Sequence, residues 1–214
     1  MIYVVFQQVW PYFAAFAALW LIKGIMSLPV VKGAIGEAAV NLLARWFLPK
    51  DQFYRLKNVT LQLHDGTAQI DHIIIARTGV FVVETKNMSG WIFGKEQQNT
   101  WTQQIYRKRF KFQNPLSQNY RHTKAIEALL GIPAQHLHSI VVFVGGSTFK
   151  TPMPHNVTQG YGLIRYIKSF TEPAFSKQEI EGLILTLQRG RMPNTRATHR
   201  AHVKSLKERK GRRT

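Results

Sequence analysis

A mixed α/β fold, a central sheet flanked by helices, is what this sequence predicts. Three observations carry that expectation. Between Phe53 and Lys86, three roughly alternating apolar segments are divided by turn signals. A nearly all-apolar run, Ser139 to Val144, reads as a strand covered on both faces. Helical spacing appears before, between and after these segments, which gives the order α, βββ, α, β, α. The 214 residues suffice for one domain with a real core plus short appendages, and there is no internal repeat.

The chain opens with a stretch that carries no charge from Ile2 to Ile22, interrupted mainly by Gln7 and Gln8. A helix of about 20 apolar residues spans a bilayer, and this run just meets that length. Trp10, Tyr12 and Trp20 suit the membrane interfaces, while Pro11 weakens the first half of a helix. A cleaved signal peptide is disfavoured, because a basic leading segment and a small-residue cleavage site are missing. Residues 1–26 are therefore expected to form an N-terminal transmembrane helix. An interfacial helix and a buried helix of a soluble domain are the alternatives. Lys23, Lys32 and the basic excess beyond them place the C-terminal side in the cytoplasm, as a single-pass protein.

Ser27 to Gly33 reads as a linker. The spacing from Gly33 to Phe47 predicts a helix with Ile35, Ala39, Leu42, Leu43 and Trp46 on one face, stopped by Leu48-Pro49. Phe53–Leu63, Gln69–Ala76 and Val80–Lys86 are expected as a hairpin meander. Its turns lie at His64-Asp65-Gly66-Thr67 and Arg77-Thr78-Gly79. Trp91–Gly94 and Thr100–Tyr106 read as further short strands. Asn114 suits an N-cap, Pro115 the first helical position and Gly131 the C′ position. The helix between them shows a stripe of Leu116, Tyr120, Thr123, Ile126, Leu129 and Leu130. Gly162–Phe170 and Ser176–Leu187 read as the last two helices of a domain spanning 31–188.

The formal net charge is +18 and the pI near 10.5, which favours polyanions or an anionic membrane surface as partners. Two clusters concentrate the excess. Arg107, Lys108, Arg109 and Lys111 surround Phe110, a pattern that suits a grip on nucleic-acid backbone with an aromatic stacking on an unpaired base, or simply a charged turn. Residues 189–214 hold ten Lys or Arg against the single acid Glu208. That tail reads as flexible or as a lone exposed helix, serving nucleic acid, anionic lipid or solubility. With no cysteine, disulfides and thiolate zinc sites are excluded. The histidines at 136, 138, 199 and 202 do not group at ligand spacing, and the glycines match no phosphate loop.

The chemistry candidates centre on FVVETKN, residues 81–87. Side chains two apart share a strand face, so Glu84 and Lys86 point the same way. A turn at Arg77 to Gly79 brings Asp71 of the preceding strand beside Glu84. Two adjacent carboxylates repel unless a cation lies between them, and oxygen ligands favour Mg²⁺ or Mn²⁺. Such an ion binds a scissile phosphate and lowers the pKa of its water. Lys86 then suits orientation of that water or stabilisation of charge on the phosphorane, and the backbone carbonyl of Thr85 is a further candidate ligand. A salt-bridge network at strand ends is the competing structural explanation.

Several motifs stand in a recognisable order: GAIGEAAV, GTAQIDH, GVFVVETKN, SGWIFG, Trp101 and NPLSQN. Over roughly Val31 to Val144 the chain resembles the nuclease-related domain, NERD. That family is similar to the restriction-endonuclease-like superfamily with its PD-(D/E)-x-K signature. The resemblance implies a restriction-endonuclease-like mixed sheet and a metal-dependent phosphodiester hydrolase. It assigns catalysis to Asp71, Glu84 and Lys86, and metal ligation to Glu37, Asp71, Glu84 and the Thr85 carbonyl. Gln69 and His72 flank the aspartate as accessory residues. Ile70 precedes Asp71 where the superfamily signature has proline. Gln118 lies in the family-like NPLSQN stretch and resembles the helical glutamine of DNA-end-processing nucleases. His122, four residues on, occupies the position of a tyrosine. Arg121 and Lys124 on nearby faces suit phosphates. The implied partner is nucleic acid, DNA ahead of RNA. A non-catalytic nucleic-acid-binding module at the membrane and a membrane-associated interaction protein are the competing function classes.

Overall fold

Strand formers dominate residues 53–87, and they pair as alternation requires. β1 (Phe53–Leu63), β2 (Gly66–Ala76) and β3 (Gly79–Asn87) form the expected antiparallel meander. The computed structural model describes residues 2–64 and 66–211; Asp65 in the first expected turn and residues 212–214 of the tail lie outside the described residues. Short strands β4 (Gly90–Phe93), β5 (Thr100–Ile105) and β6 (Lys108–Gln113) follow. Helix α3 (Pro115–Leu130) then carries the chain to β7 (Leu137–Val144), which pairs parallel to β3. β8 (Ser147–Phe149) and β9 (Val157–Gln159) close two sheets, ordered β1-β2-β3-β7-β9 and β6-β5-β4-β8. The mixed α/β class is thus observed. β6, β8 and β9 were not anticipated, since β6 is strongly charged and the others are three residues long.

β3 is covered on both faces. Val80 and Val82 pack with Ala125 and Ile126 of α3 and with Leu183 and Leu187 of α5 (Lys177–Gly190). Phe81 and Val83 pack with Val40 and Ala44 of α2 (Pro29–Phe47) and with Leu163, Ile164 and Ile167 of α4 (Gly162–Lys168). The caps behave as their residue types demand. Asn114 accepts a hydrogen bond from the Leu116 N–H, and Gly131 takes the left-handed conformation at φ 64°. Ser176 and Glu179 form a reciprocal capping box on α5.

Helix α2 turns a different face inward from the one hydrophobicity predicts. On α2 the packed residues are Gly36, Val40 and Ala44, whereas Leu42 and Trp46 are 57% and 75% exposed. Small residues allow a close approach: a Cβ on Gly36 would lie 2.8 Å from the Asn87 Cβ. On α3 the expected stripe packs inward through Leu116, Ile126, Leu129 and Leu130, with Tyr120 its one exposed member, and Asn119, His122 and Ala125 widen the buried face. Asn119 explains the polar part of that face. Its Nδ2 donates to Val82 O (2.8 Å), to Ile140 O (3.0 Å) and to Ser139 Oγ (2.9 Å), so one amide ties α3 to both strands of the parallel junction.

The N-terminal run is helix α1 (Ile2–Ser27). The expected linker is absent, because α2 begins at Pro29. The residue before a proline is driven from the helical region, and Leu28 accordingly has φ −61° and ψ 136°. Among the described residues no single helix is long and apolar enough to cross a membrane. Tyr12–Ser27 and Pro29–Phe47, bent by 76°, meet the length and composition test only together.

The tail corrects a further expectation. Over Arg196–Gly211 it is helix α6, and it is docked rather than flexible or alone. Leu61 bridges Arg191, and the Met192 N–H donates to Thr60 O at 2.8 Å. His202 Nδ1 lies 2.9 Å from Thr67 Oγ1, and Ser205 Oγ accepts from the Thr67 N–H at 3.2 Å. Unpaired backbone at the β1–β2 hairpin supplies the partners that a solvated tail lacks.

Removing a buried amide that satisfies main-chain carbonyls costs about 1–3 kcal/mol. Asn119→Ala is therefore expected to lower the denaturation midpoint accordingly in non-ionic detergent, without a change of slope. An unchanged midpoint would show that α3 is held by its apolar contacts alone.

Candidate active site

Strict alternation would send residues three apart to opposite faces. Ile70 and Ile73 nevertheless join the same core cluster, as do their partners Val59 and Leu56. The alternation breaks between them, where Lys57 pairs with His72 and Val59 with Ile70, leaving Asn58 and Asp71 in the gap. Asn58 holds φ 51°, a left-handed conformation that asparagine tolerates better than most residues. This paired irregularity sets Asp71 beside the end of β3.

The Asp71 carboxylate accepts a hydrogen bond from the Thr85 N–H, Oδ2 to N 2.8 Å. One residue earlier, Glu84 continues the buried part of β3 and is 2% exposed. Lys86 Nζ donates to Glu84 Oε1 at 2.6 Å and to Gln118 Oε1 at 3.0 Å. Gln118 thus joins the site from α3. Glu84 Oε2 is buried and has no hydrogen-bond partner. His122 Nδ1 lies 3.5 Å from it. Burial, then the charges of Lys86, Arg121 and His202, push His122 down to about 4. At neutral pH the imidazole is uncharged, so that contact is not an ion pair.

The carboxyl groups resist ionisation together. Asp71 keeps some surface exposed, yet enclosure of its carboxyl and the neighbouring Glu84 charge push it up to about 8. Burial raises Glu84 as well, against the opposing pull of Lys86. Glu37 on α2 is raised by burial, while Asn58 and Lys57 act the other way. The Glu37 charge is felt at both Asp71 and Glu84. Asn58, which received no role from the sequence, is the foremost of the groups that favour the Glu37 charge. Only its left-handed geometry opposite Asp71 marks it, and that is invisible in one sequence.

The donor chemistry suits a hard divalent cation: oxygen atoms only, one of them an orphaned buried carboxylate oxygen, beside a second carboxyl that cannot comfortably ionise alone. The closure of a ligand set is not there, since among the described residues no three His, Cys, Asp or Glu side chains group closely enough to hold a metal ion.

Other expected residues fall further from this centre. His72 is buried with an unpartnered Nε2 and is pushed down to about 4 by burial and then by Lys57. Gln69 lies opposite Thr60, and no described contact ties it to the carboxylates. Lys124 is engaged by Glu127 at 2.6 Å, and Arg121 is exposed on α3. Arg107 sits in the β5–β6 turn, while Lys108, Arg109 and Lys111 belong to β6 in the second sheet. The idea of a joint grip by Arg109, Lys111 and Phe110 needs correction. Phe110 opposes Gln103 whereas Arg109 and Lys111 oppose Gln104 and Thr102, so they stand on opposite faces. A cleft of about 630 Å³ lies where the α1–α2 bend meets both sheets, lined by Pro29, Lys32 and Ile35, by Thr85 and Lys86, and by Gln103.

Residues 32–144 match the nuclease-related domain, NERD. An uncharacterized protein of Bacillus anthracis is 39% identical over 183 residues, covering 83% of this chain and 85% of its own length. No solved structure matches the chain.

Asp71 yields a pH prediction. A carboxyl whose folded pKa is raised contributes most below its unfolded value, and that contribution is lost as pH rises through the folded one. The window here runs from 3.8 to about 8. Without divalent cation, Asp71→Asn is expected to be more stable than wild type at the top of this window, by on the order of a few kcal/mol, with the gap closing towards its foot. Mn²⁺ should stabilise the wild type at the top of the window and leave Asp71→Asn unmoved. Thermal melts across pH, with and without Mn²⁺, check both.

Proposed function

The chain belongs to the nuclease-related domain family, within the PD-(D/E)xK-like superfamily, and on that premise we propose that it is a metal-dependent hydrolase of nucleic-acid phosphodiester bonds. The observation that carries this reading is the Lys86 ammonium held between buried Glu84 and Gln118, next to Asp71. Asp71 and Glu84, joined by Glu37 and the Thr85 carbonyl, are the groups we assign to Mg²⁺ or Mn²⁺. When bound, the ion supplies positive charge at the scissile phosphate and water of lowered pKa.

The chain's own contributions follow from the geometry. Gln118 limits the rotamers of Lys86, so its charge stays aimed into the site. Lys86 stabilises the negative charge that develops on phosphate, where a fixed cation in a water-poor site acts most strongly. The cover of β3 keeps water from Glu84 until substrate arrives. Neutral His122 is free of a charge that would compete for Glu84. DNA is the preferred substrate in this reading, ahead of RNA. The open ligand set favours one second reading, a nucleic-acid-binding module that does not cut.

We further propose that the bent pair α1–α2 attaches the domain to a bilayer, the two helices together forming its single-pass anchor, with the domain on the cytoplasmic side. Support comes from the uncovered apolar residues Phe13, Phe16, Leu19 and Trp20 of α1 and from the outward stripe Ile35, Leu42 and Trp46 of α2. The exposed Arg200 of α6 suits anionic lipid or nucleic acid, while Lys204 lies 3.9 Å from Glu208.

Glu84→Ala and Asp71→Ala are each expected to abolish Mg²⁺- or Mn²⁺-dependent cleavage of labelled DNA or RNA while retaining binding. Lys86→Ala should slow cleavage about 100-fold or more. Wild-type chain that binds every substrate form yet cuts none with either metal would leave the binding module as the function.

Because the chain has no cysteine, single-cysteine labelling is clean. An environment-sensitive dye at position 42 or 46 should blue-shift on vesicles, and one at exposed position 185 on α5 should not. Equal responses at all three would remove the membrane assignment of α2.

A further inference from the structure

The second sheet is amphipathic in an unusual sense. Its inner face packs Ile92, Trp101, Phe112 and Phe149 against Phe143 of β7, with Trp101 stacked parallel to Phe143 at 6.2 Å. Its outer face follows from the register. One row across the strands reads Arg109, Gln104, Trp91, Thr148. The next reads Lys111, Thr102, Phe93, and ends near Lys150, whose N–H donates to Ile92 O at 2.9 Å. Neither row contains an acid.

Trp91 stands in the middle of this face and is 47% exposed. Lys150 Nζ lies 4.5 Å from its ring centroid. Arg109 Nε donates to Gln104 Oε1 at 3.0 Å, which tethers the guanidinium to its neighbour in the row. Arg109, Lys111 and Lys150 are all exposed. Lysines on an edge strand guard against edge-to-edge pairing, and that accounts for Lys108 and Lys111 alone. It does not account for a large aromatic left open on an inner strand between cations.

We propose that the outer face of this sheet binds unpaired nucleic acid, with a base stacked on Trp91 and the flanking phosphates on Arg109, Lys111 and Lys150. The inference rests on the nucleic-acid reading above and deepens it by naming the form of substrate. Every base has a π-face, so an aromatic platform framed by cations selects single strands without selecting sequence. Strands lie about 4.8 Å apart, so Arg109 is roughly 10 Å from Trp91, across one intervening strand. Lys150 covers the indole in the free protein and passes to a phosphate when a base takes its place.

The test uses the full chain in non-ionic detergent with chelator present, so that binding is read apart from cleavage. The probes are a labelled oligothymidylate single strand and a labelled duplex of equal length, followed by fluorescence anisotropy. Trp91→Ala is expected to weaken single-strand binding about tenfold or more, with duplex binding unchanged, and Trp91→Phe to recover most of the loss. Arg109→Gln with Lys111→Gln should flatten the dependence of log affinity on log salt by about 1–2. Equal single-strand affinity of Trp91→Ala and wild type overturns the proposal. So does a Trp91→Ala variant whose only defect is in binding anionic phosphatidylglycerol vesicles, which would make the face a lipid contact. Wild type that binds neither probe overturns this inference together with the nucleic-acid reading. Loss of single-strand affinity in Trp91→Ala, from a wild type that never cuts, supports the platform and removes only hydrolysis.

Discussion

Everything near the site depends on β3 being covered on both faces. Val80, Phe81, Val82 and Val83 are each fully buried, and the strand runs on into Glu84 without losing its cover. The carboxylate therefore inherits a dry environment from the hydrophobic strand that carries it. Burying a charge costs several kcal/mol even when it is paired, and here only Oε1 is answered, by Lys86. An apolar side chain of similar size at position 84 would serve the fold better. The price is tolerated because the same strand is the parallel partner of β7 and the antiparallel partner of β2, so the sheet cannot let it go.

The surrounding helices divide their faces accordingly. α3 turns Gln118, Asn119 and His122 towards the strands, where each meets a polar group or a carboxylate. α2 turns glycine, valine and alanine inward and leaves leucine and tryptophan out. The first arrangement places hydrogen bonds where water is scarce. The second lets α2 approach β3 closely enough for the Glu37 charge to reach Asp71 and Glu84.

These divisions also mark the limit of what the sequence discloses. The meander, the ends of α3 and the shared face of Glu84 and Lys86 were legible, because alternation and capping are local rules. The inward face of α2 and the polar part of the inward face of α3 were not. Hydrophobicity assumes apolar inside and polar outside; α3 also buries polar residues for a site, and α2 leaves apolar ones exposed. β6 was hidden because a row of cations on an edge strand looks like a turn. The role of Asn58 was hidden because it depends on a backbone irregularity shared with Asp71 across two strands. His202 was out of reach for another reason: its partner Thr67 is 135 residues away.

That last separation sets an order in time. Ribosomes extend chains at roughly 5–20 residues per second, so on the order of ten seconds pass between the appearance of Thr67 and that of His202. Throughout that interval the β1–β2 hairpin exists without the helix that finally caps it. The backbone partners offered by Thr60 and Thr67 stay wet until Met192 and Ser205 arrive. Closure of this contact thus waits on the synthesis of α6 rather than on how fast the sheet pairs.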